Sequence, residues 1–586
     1  LIALFSGLFA AASAPTVANL LWGAGASIGF VLATGWLIAA IRNREFGSDA
    51  LAVISILATV LTGEFLAAAV ISVMLASGRA LEHWAEGRAR AQLEALLDRA
   101  PRTAHRLAAD GSITEVSLAE VAIGDRLLVR SGEVVPIDGT LQTEGTFDES
   151  ALTGEPLPRW RAVGEPVASG VLNAHAEVEL VTTQTAESST YENLIRLVRQ
   201  AQATSANGVR LANVWAVRFV PFALLLALGT WLVTGKLAAA VAVIVAATPC
   251  PLILAVPVAL IAGMSKSAAH GAIIKGGAAL EQLAAAETVL LDKTGTLTRG
   301  GPELSGIALG PDTTEAEVLT LAASLEQSSP HVVARTIVAA AKVRNLSLTR
   351  ATQVVEQHGI GLTGTVNGHK VEVGQPRGET PAWCQLETNL LVYIWVDGEV
   401  KAVLGLDDPV REESANTIAA MRKLGIKRIL IISGDRKSAA DAVGQAVGAD
   451  QVHAECTPED KLRIVHAEQQ NGKVIAVGDG INDAPALAAA AVGVAMGARG
   501  STAASEAADV VIVEDSIKHL AIAIDIAKQA RGRALQSSGV GMGLAIVAML
   551  AASFGFTNAT ESAVLQEFID ASAILWALVP SRNRIE

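Results

Sequence analysis

The residues best placed to do chemistry are acidic and hydroxyl positions that each close an apolar run. Thr288-Val289-Leu290-Leu291 is apolar and β-prone and leads into Asp292-Lys293-Thr294-Gly295-Thr296-Leu297-Thr298. Arg428-Ile429-Leu430-Ile431-Ile432 leads into Ser433-Gly434-Asp435, and Val474-Ile475-Ala476-Val477-Gly478 into Asp479-Gly480-Ile481-Asn482-Asp483. Continuously apolar runs read as parallel strands buried on both faces. Ligands of open α/β sheets collect at the carboxyl ends of such strands. The three runs predict one sheet edge carrying Asp292, Ser433 and Asp479, with Lys461 between the last two in sequence. A carboxylate there can attack a phosphoryl group and form an aspartyl-phosphate. Each Asp taken singly would be a turn or helix-cap residue, but three in this order point to phosphoryl chemistry.

The elements that hold this edge belong to a chain of 586 residues, long enough for several domains. Charged residues make up only 18%, against roughly 25% in soluble chains, which points to uncharged membrane segments. The net charge of −13 argues against nucleic acid as a partner. Cys250, Cys384 and Cys456 form no CxxC pair, so neither a disulfide framework nor a thiol-rich metal module is expected. The chain opens at Leu1 inside an apolar stretch, so a further segment is expected before it.

Eight membrane helices are expected, the first incomplete: residues 1–14, 18–41, 50–62, 65–77, 214–233, 237–264, 534–552 and 563–579. A full span takes about 20 residues. Arg42 and Arg44 in one loop and Arg582 and Arg584 in the tail favour the cytoplasmic side for those segments. Short alternating runs punctuated by Gly124, Gly132, Gly139 and Gly145 predict a small β-rich soluble domain. It carries Asp148-Glu149-Ser150-Ala151-Leu152-Thr153-Gly154-Glu155. The chain then divides into helices with a stalk (1–96), the β-rich domain (97–205) and two helices (206–272). An α/β domain follows in two parts (273–303 and 399–527) around an insertion (304–398), and two final helices close the chain (528–586).

The Asp292 heptapeptide, the Asp148 to Glu155 stretch and the Ser433 and Asp479 motifs together resemble the P-type ATPases over nearly the whole chain. The resemblance implies a multidomain protein. It would have an α-helical membrane domain, an α/β doubly wound phosphorylation domain, an α+β nucleotide-binding insertion and a small β-rich actuator domain. It implies Asp292 as nucleophile, and Mg2+ held by Asp292, the Thr294 carbonyl, Asp479 and Asp483, since this hard ion prefers oxygen. Lys461, Ser433 and Asn482 would contact phosphoryl oxygens, with Gly434 and Asp435 in the same catalytic loop. Ser433 replaces the usual threonine and keeps the hydroxyl. Phosphatases of this fold class usually place a second Asp where Thr294 stands. Threonine cannot relay that proton, so the aspartyl-phosphate should persist until Glu155 orients a water. ATP is the implied phosphoryl donor, with its base on Glu326, His331, Gly359 and Gly361. Pro330-His331 reverses the family's His-Pro order, and a surface histidine is the alternative.

Within residues 237–264, Pro249 and Pro251 flank Cys250, and Pro257 follows. Proline cannot donate to the i−4 carbonyl, so the helix should unwind and free the carbonyls of Val245 and Ala247. Irregular backbone at membrane depth is tolerated where it lines a cavity or is buried in protein, and a thiolate selects a transition metal. The other reading is a proline kink beside a packing cysteine. In Gln566-Glu567-Phe568-Ile569-Asp570, Glu567 and Asp570 are expected to share a helix face. Intramembrane carboxylates mark ion paths, unless they sit at the outer interface. Cys250, Glu567, Asp570 and the Gln566 amide make a borderline-hard set, suited to Ni2+, Fe2+, Co2+ or Zn2+ over Cu+.

This combination resembles the CPx-type heavy-metal P-type ATPases, in particular a subgroup linked to nickel and iron export. The expected function is ATP-driven export of a divalent transition-metal ion. The alternatives are a Zn2+/Cd2+ or Cu+ exporter, a K+-pump subunit that would not need Cys250, and a non-transporting phosphatase or sensor. The resemblance implies the lipid bilayer, the metal ion and a metal chaperone as partners. It also implies a bacterial plasma (inner) membrane, with the soluble domains cytoplasmic.

Overall fold

The computed structural model describes residues 1–579 apart from 12–13, 43–48, 99–100, 102, 109, 149–158, 175, 193–194, 197–209, 248–249, 330, 358–360, 378–379, 387–389, 479–482 and 498–501. The chain forms two compact units: Leu1–Ala286, Ala491–Asp515 and His519–Glu586 in the first, Glu287–Ala490 and Ser516–Lys518 in the second.

The first unit holds the apolar helices. Ile2–Ala11, Pro15–Arg42, Asp49–Leu61 and Phe65–Asp98 precede its soluble part; Arg210–Thr234, Leu237–Ala246, Cys250–Ala269, Lys518–Ser553 and Ala559–Leu578 come after it. Small and aliphatic residues such as Ala227, Val241, Ala246, Ala548 and Ala563 fill the shared core. Leu20, Leu225, Leu232, Val547 and Phe568 point outward and are exposed. Helices apolar on both faces suit a lipid surround. Among the described residues, three stretches are long and apolar enough to cross a membrane: Pro15–Ile38, Phe65–Ala85 and Lys518–Ser553. The other expected spans are shorter apolar helices or, in Ala559–Leu578, carry carboxylates.

The span expected over residues 237–264 is two helices. Leu237–Ala246 ends at Ala247 (φ −90°, ψ 13°), whose N–H donates to the Ile244 carbonyl, and the next helix opens at Cys250. The expected release of the Val245 and Ala247 carbonyls falls where the first of these helices ends, before Cys250. Pro251 lies in the first turn of the new helix, where a missing N–H leaves no bond unmade.

The soluble part of this unit is built from short strands. Ile113–Ser117, Thr103–Leu107, Arg126–Val129, Val178–Thr182, Gly139–Leu141 and Pro166–Val167 lie side by side in that order. Arg159–Arg161, Gly145–Asp148 and Leu172–Asn173 form a second sheet. Buried Asp138 ties two later stretches of this soluble part together, accepting from the backbone N–H of Ser169 at 2.6 Å and of Thr190 at 3.0 Å. A buried carboxylate needs such partners.

In the second unit Thr288–Asp292 is central and parallel to both neighbours, Val474–Gly478 and Arg428–Ile432; Gln451–His453 pairs with the latter. Val289, Leu291, Ile431 and Ile475 are fully buried, as double-faced strands require. The insertion is an antiparallel sheet in the order Glu303–Leu309, Glu399–Asp407, Leu390–Val396, His369–Gly374, Gly361–Val366 and Thr352–Gln357. It packs on Glu315–Glu326 and Val332–Val343 through Leu319, Leu325, Ile337, Val371 and Leu404. The sheet runs on to Asp407, past residue 398.

Candidate functional site

Asp292 closes the central strand and is in register with Ile432, the last residue before Ser433. The chain then turns tightly through Lys293–Leu297, with Gly295 in the left-handed region at φ 71°, a conformation glycine adopts without a Cβ penalty. Lys461 reaches this edge from the first turn of helix Pro458–Gln469, which opens with a capping box between Thr457 and Asp460. Its ammonium donates to Asp292 Oδ1 and to Asp483 Oδ1, both at 2.6 Å. Burial alone would lower the amine's pKa; Asp292 and then Asp483 outweigh it, and the net direction is upward. Gly478 makes room for this arrangement, since a Cβ there would lie 2.5 Å from Asp483 Oδ2.

Ser433 is buried and its hydroxyl accepts from the Asp435 N–H at 3.1 Å. Asp435 forms an ion pair with buried Lys293, so the turn after Asp292 is tied to the Ser433-Gly434-Asp435 loop. Asp292, Ser433, Asp435, Lys461 and Asp483 thus lie at one edge of the sheet. Asp479 and Asn482 lie outside the described residues, as does Glu155. The carboxylates of Asp292 and Asp483 and the Thr294 carbonyl are all oxygen donors, a set whose chemistry fits Mg2+.

In the insertion, Glu326, Ser329, His331, Glu356, Gly361 and Gly374 help line a cavity of about 250 Å3. Glu326 is 7% exposed. Burial, with the nearby Glu356 charge, pushes its carboxyl up to about 7. The Nδ1 of His331 accepts from the Val333 N–H at 3.3 Å and caps helix Val332–Val343, which leaves the ring proton on Nε2. The reversed Pro330-His331 order therefore does not remove this ring from the cavity. Gly361 (φ 149°) passes so close to the next strand that a Cβ would meet the Val373 carbonyl at 2.2 Å. Gly359 lies outside the described residues.

In the helix bundle, Gln566 and Asp570 are buried, and the Gln566 amide donates to Asp570 Oδ1 at 2.8 Å. Glu567 accepts instead from the Ser77 hydroxyl at 2.7 Å. The face expected to be shared by Glu567 and Asp570 is therefore divided. At 100° per residue Asp570 lies nearer in angle to Gln566 than to Glu567. The Cys250 side chain lies outside what is described. No group of three His, Cys, Asp or Glu residues suited to a metal occurs among the described residues.

Two family models match this chain: the P-type ATPase actuator domain over residues 98–199 and the haloacid dehalogenase-like hydrolase over residues 286–491. A copper-exporting P-type ATPase of Legionella pneumophila is 37% identical over 78% of this chain and 65% of its own length. The chain is similar to the heavy-metal P-type ATPases over most of its length. A silver exporting P-type ATPase of Salmonella typhimurium is 34% identical over 77% of this chain and 58% of its own length. The chain thus spans only 58 to 65% of the length of those relatives. The crystal structure of a zinc-transporting PIB-type ATPase in the E2·Pi state is also similar, at 29% identity and a TM-score of 0.68. The match covers 98% of this chain and 97% of that one. The fold of membrane, actuator, phosphorylation and nucleotide-binding domains is shared with it.

Some of the site's residues escape a reading of the sequence. Asp408 accepts from the Thr298 hydroxyl at 2.6 Å and from the Gly300 N–H at 3.0 Å. Buried Arg411 donates to the carbonyls of Thr298 (2.9 Å) and Gly295 (3.2 Å), and Ser414 donates to that of Leu297. These three residues hold the turn that follows Asp292. The available signal was Asp407-Asp408-Pro409-Val410-Arg411, an acidic pair before a proline with an arginine following, placed where a strand ends.

Proposed function

We propose that this chain is an ATP-driven pump of the heavy-metal P-type ATPase class that exports a transition-metal ion across a bacterial inner membrane through a phospho-aspartate intermediate. The observation that carries the reading is the Asp292 carboxylate at a strand end, held 2.6 Å from the Lys461 ammonium. Asp292 attacks the γ-phosphorus of ATP, an acyl phosphate forms and ADP leaves. Lys461 offsets the charge on the transferred oxygens, and the Ser433 hydroxyl and Asn482 amide donate to them. Asp292, the Thr294 carbonyl, Asp479 and Asp483 would hold Mg2+, which would supply further charge neutralisation at the phosphate. The hydroxyl of Thr294 cannot act as general acid or base, so the acyl phosphate persists until Glu155 orients a water. Glu326, His331, Gly359 and Gly361 receive the adenine end.

The ligand chemistry favours a divalent borderline ion (Ni2+, Fe2+, Co2+ or Zn2+), taken by the Cys250 thiolate together with the oxygens of Gln566 and Asp570. A specific observation favours a second reading: the Legionella and Salmonella relatives are a copper and a silver exporter. Phosphoenzyme formation and ATP hydrolysis by the purified chain in lipid, with each of Ni2+, Fe2+, Co2+, Zn2+, Cd2+ and Cu+, separate the two. Stimulation by divalent ions that disappears in Cys250→Ala and Asp292→Asn supports the first reading. Stimulation by Cu+ alone supports the second, and stimulation that survives Cys250→Ala removes the thiolate from the ion site.

A further inference from the structure

The Gln566 to Asp570 stretch faces two ways, and each direction meets different chemistry. Gln566 and Asp570 turn toward each other in a buried pair at 2.8 Å. Glu567 turns instead toward helix Phe65–Asp98, where the Ser77 hydroxyl donates to its Oε1 at 2.7 Å. Ser77 also contacts the Met74 carbonyl at 2.9 Å, so one hydroxyl proton serves two acceptors. The second carboxylate oxygen, Glu567 Oε2, is shielded from solvent and has no hydrogen-bond partner. A cavity of about 250 Å3 opens beside it. Its walls are aliphatic or aromatic except for Glu567, Ser77 and the thioether residue Met74.

We propose that Glu567, Ser77 and Met74 form a second station for a divalent transition-metal ion, distinct from the Gln566–Asp570 site. The proposal rests on the reading of the chain as a metal pump. A shielded carboxylate oxygen without a donor calls for a cation, and oxygens with one thioether suit a borderline ion more than Mg2+ or Ca2+. The cavity holds several waters at about 30 Å3 each, so the ion keeps part of its hydration shell. One carboxylate, one hydroxyl and one soft sulfur bind loosely, as a station that must give up its ion requires.

The test is equilibrium binding of Co2+ to the purified full chain in lipid, read by metal content and Co2+ absorption, alongside metal-stimulated phosphoenzyme formation. The wild type is expected to bind one Co2+ tightly and a second weakly. Glu567→Gln, Ser77→Ala and Met74→Leu should weaken the second, by about tenfold or more, and Ser77→Ala and Met74→Leu should keep the tight ion and still be phosphorylated from ATP in the presence of metal. Asp570→Asn should lose the tight ion. Met74→Leu conserves volume and Ser77→Ala removes one oxygen, so both are expected to fold. A single Co2+ in the wild type, or loss of the tight ion in Ser77→Ala or Met74→Leu, would overturn the second station while leaving the pump intact. A wild type that metal does not stimulate at all would overturn the pump reading and this proposal with it.

Discussion

At Lys461 a cation is held near a helix amino terminus, where the helix dipole favours anions. Asp292 and Asp483, at 2.6 Å each, reverse that preference. The three side chains are 8 to 11% exposed, so removing the ammonium leaves two shielded carboxylates facing each other. Lys461→Met is expected to destabilise the second unit by about 3 kcal/mol, the scale for breaking a buried pair, and to abolish phosphoenzyme formation. Denaturant unfolding and acid-quenched phosphorylation measure the two effects. Glu326 carries a pH prediction. Burial and Glu356 raise its carboxyl from 4.5 to about 7, so folding favours the protonated form. Its contribution is fully present below about pH 4.5 and is lost as pH rises through 7. Hydrogen exchange in strands 361–366 and 369–374 should show Glu326→Gln gaining on the wild type between pH 5 and 8, towards about 3 kcal/mol. A pH-independent difference would refute the raised value.

The turn after Asp292 shows what elements do for one another. Asp408 and Arg411 follow directly from the strand that ends the inserted sheet, and they bind the turn from outside. Asp408→Ala removes two hydrogen bonds, one of them from the exposed Gly300 backbone, at about 0.5–1.5 kcal/mol each. Phosphoenzyme formation should slow by at least about tenfold while ATP binding stays unchanged. Titration with a fluorescent nucleotide and rapid-quench phosphorylation give both numbers, and a parallel loss of ATP affinity would place Asp408 in the nucleotide site instead. The strands of the site were legible in advance because buried parallel strands are apolar at every position. Thr288 to Leu291, Arg428 to Ile432 and Val474 to Gly478 were all marked in the sequence as strands. Asp408 and Arg411 were not legible, because nothing local says which loop they will touch.

Across the whole molecule, small residues set how closely the helices approach. In the first unit a Cβ on Gly263 would lie 2.6 Å from the Ala530 side chain, so helices Cys250–Ala269 and Lys518–Ser553 pack nearly backbone to backbone there. Such contacts, rather than apolar burial, drive helix association in lipid. Gly263→Leu should cost about 1–3 kcal/mol by overpacking, seen as a lower thermal midpoint of the full chain in lipid. An unchanged midpoint would mean that the helices separate freely at this point.

By itself the sequence determined the elements with local signatures: the apolar helices, the buried strands, the order of the Asp292, Ser433 and Asp479 motifs and the break beside Cys250. Each arises from periodicity, turn chemistry or proline sterics within a few residues. The tertiary structure alone decided the pairings. Lys461 lies between Asp292 and Asp483, Lys293 pairs with Asp435, Glu567 turns to Ser77, and Glu326 is buried near Glu356. These contacts join residues far apart in the chain, and only close packing chooses among the partners that charge and polarity alone would allow.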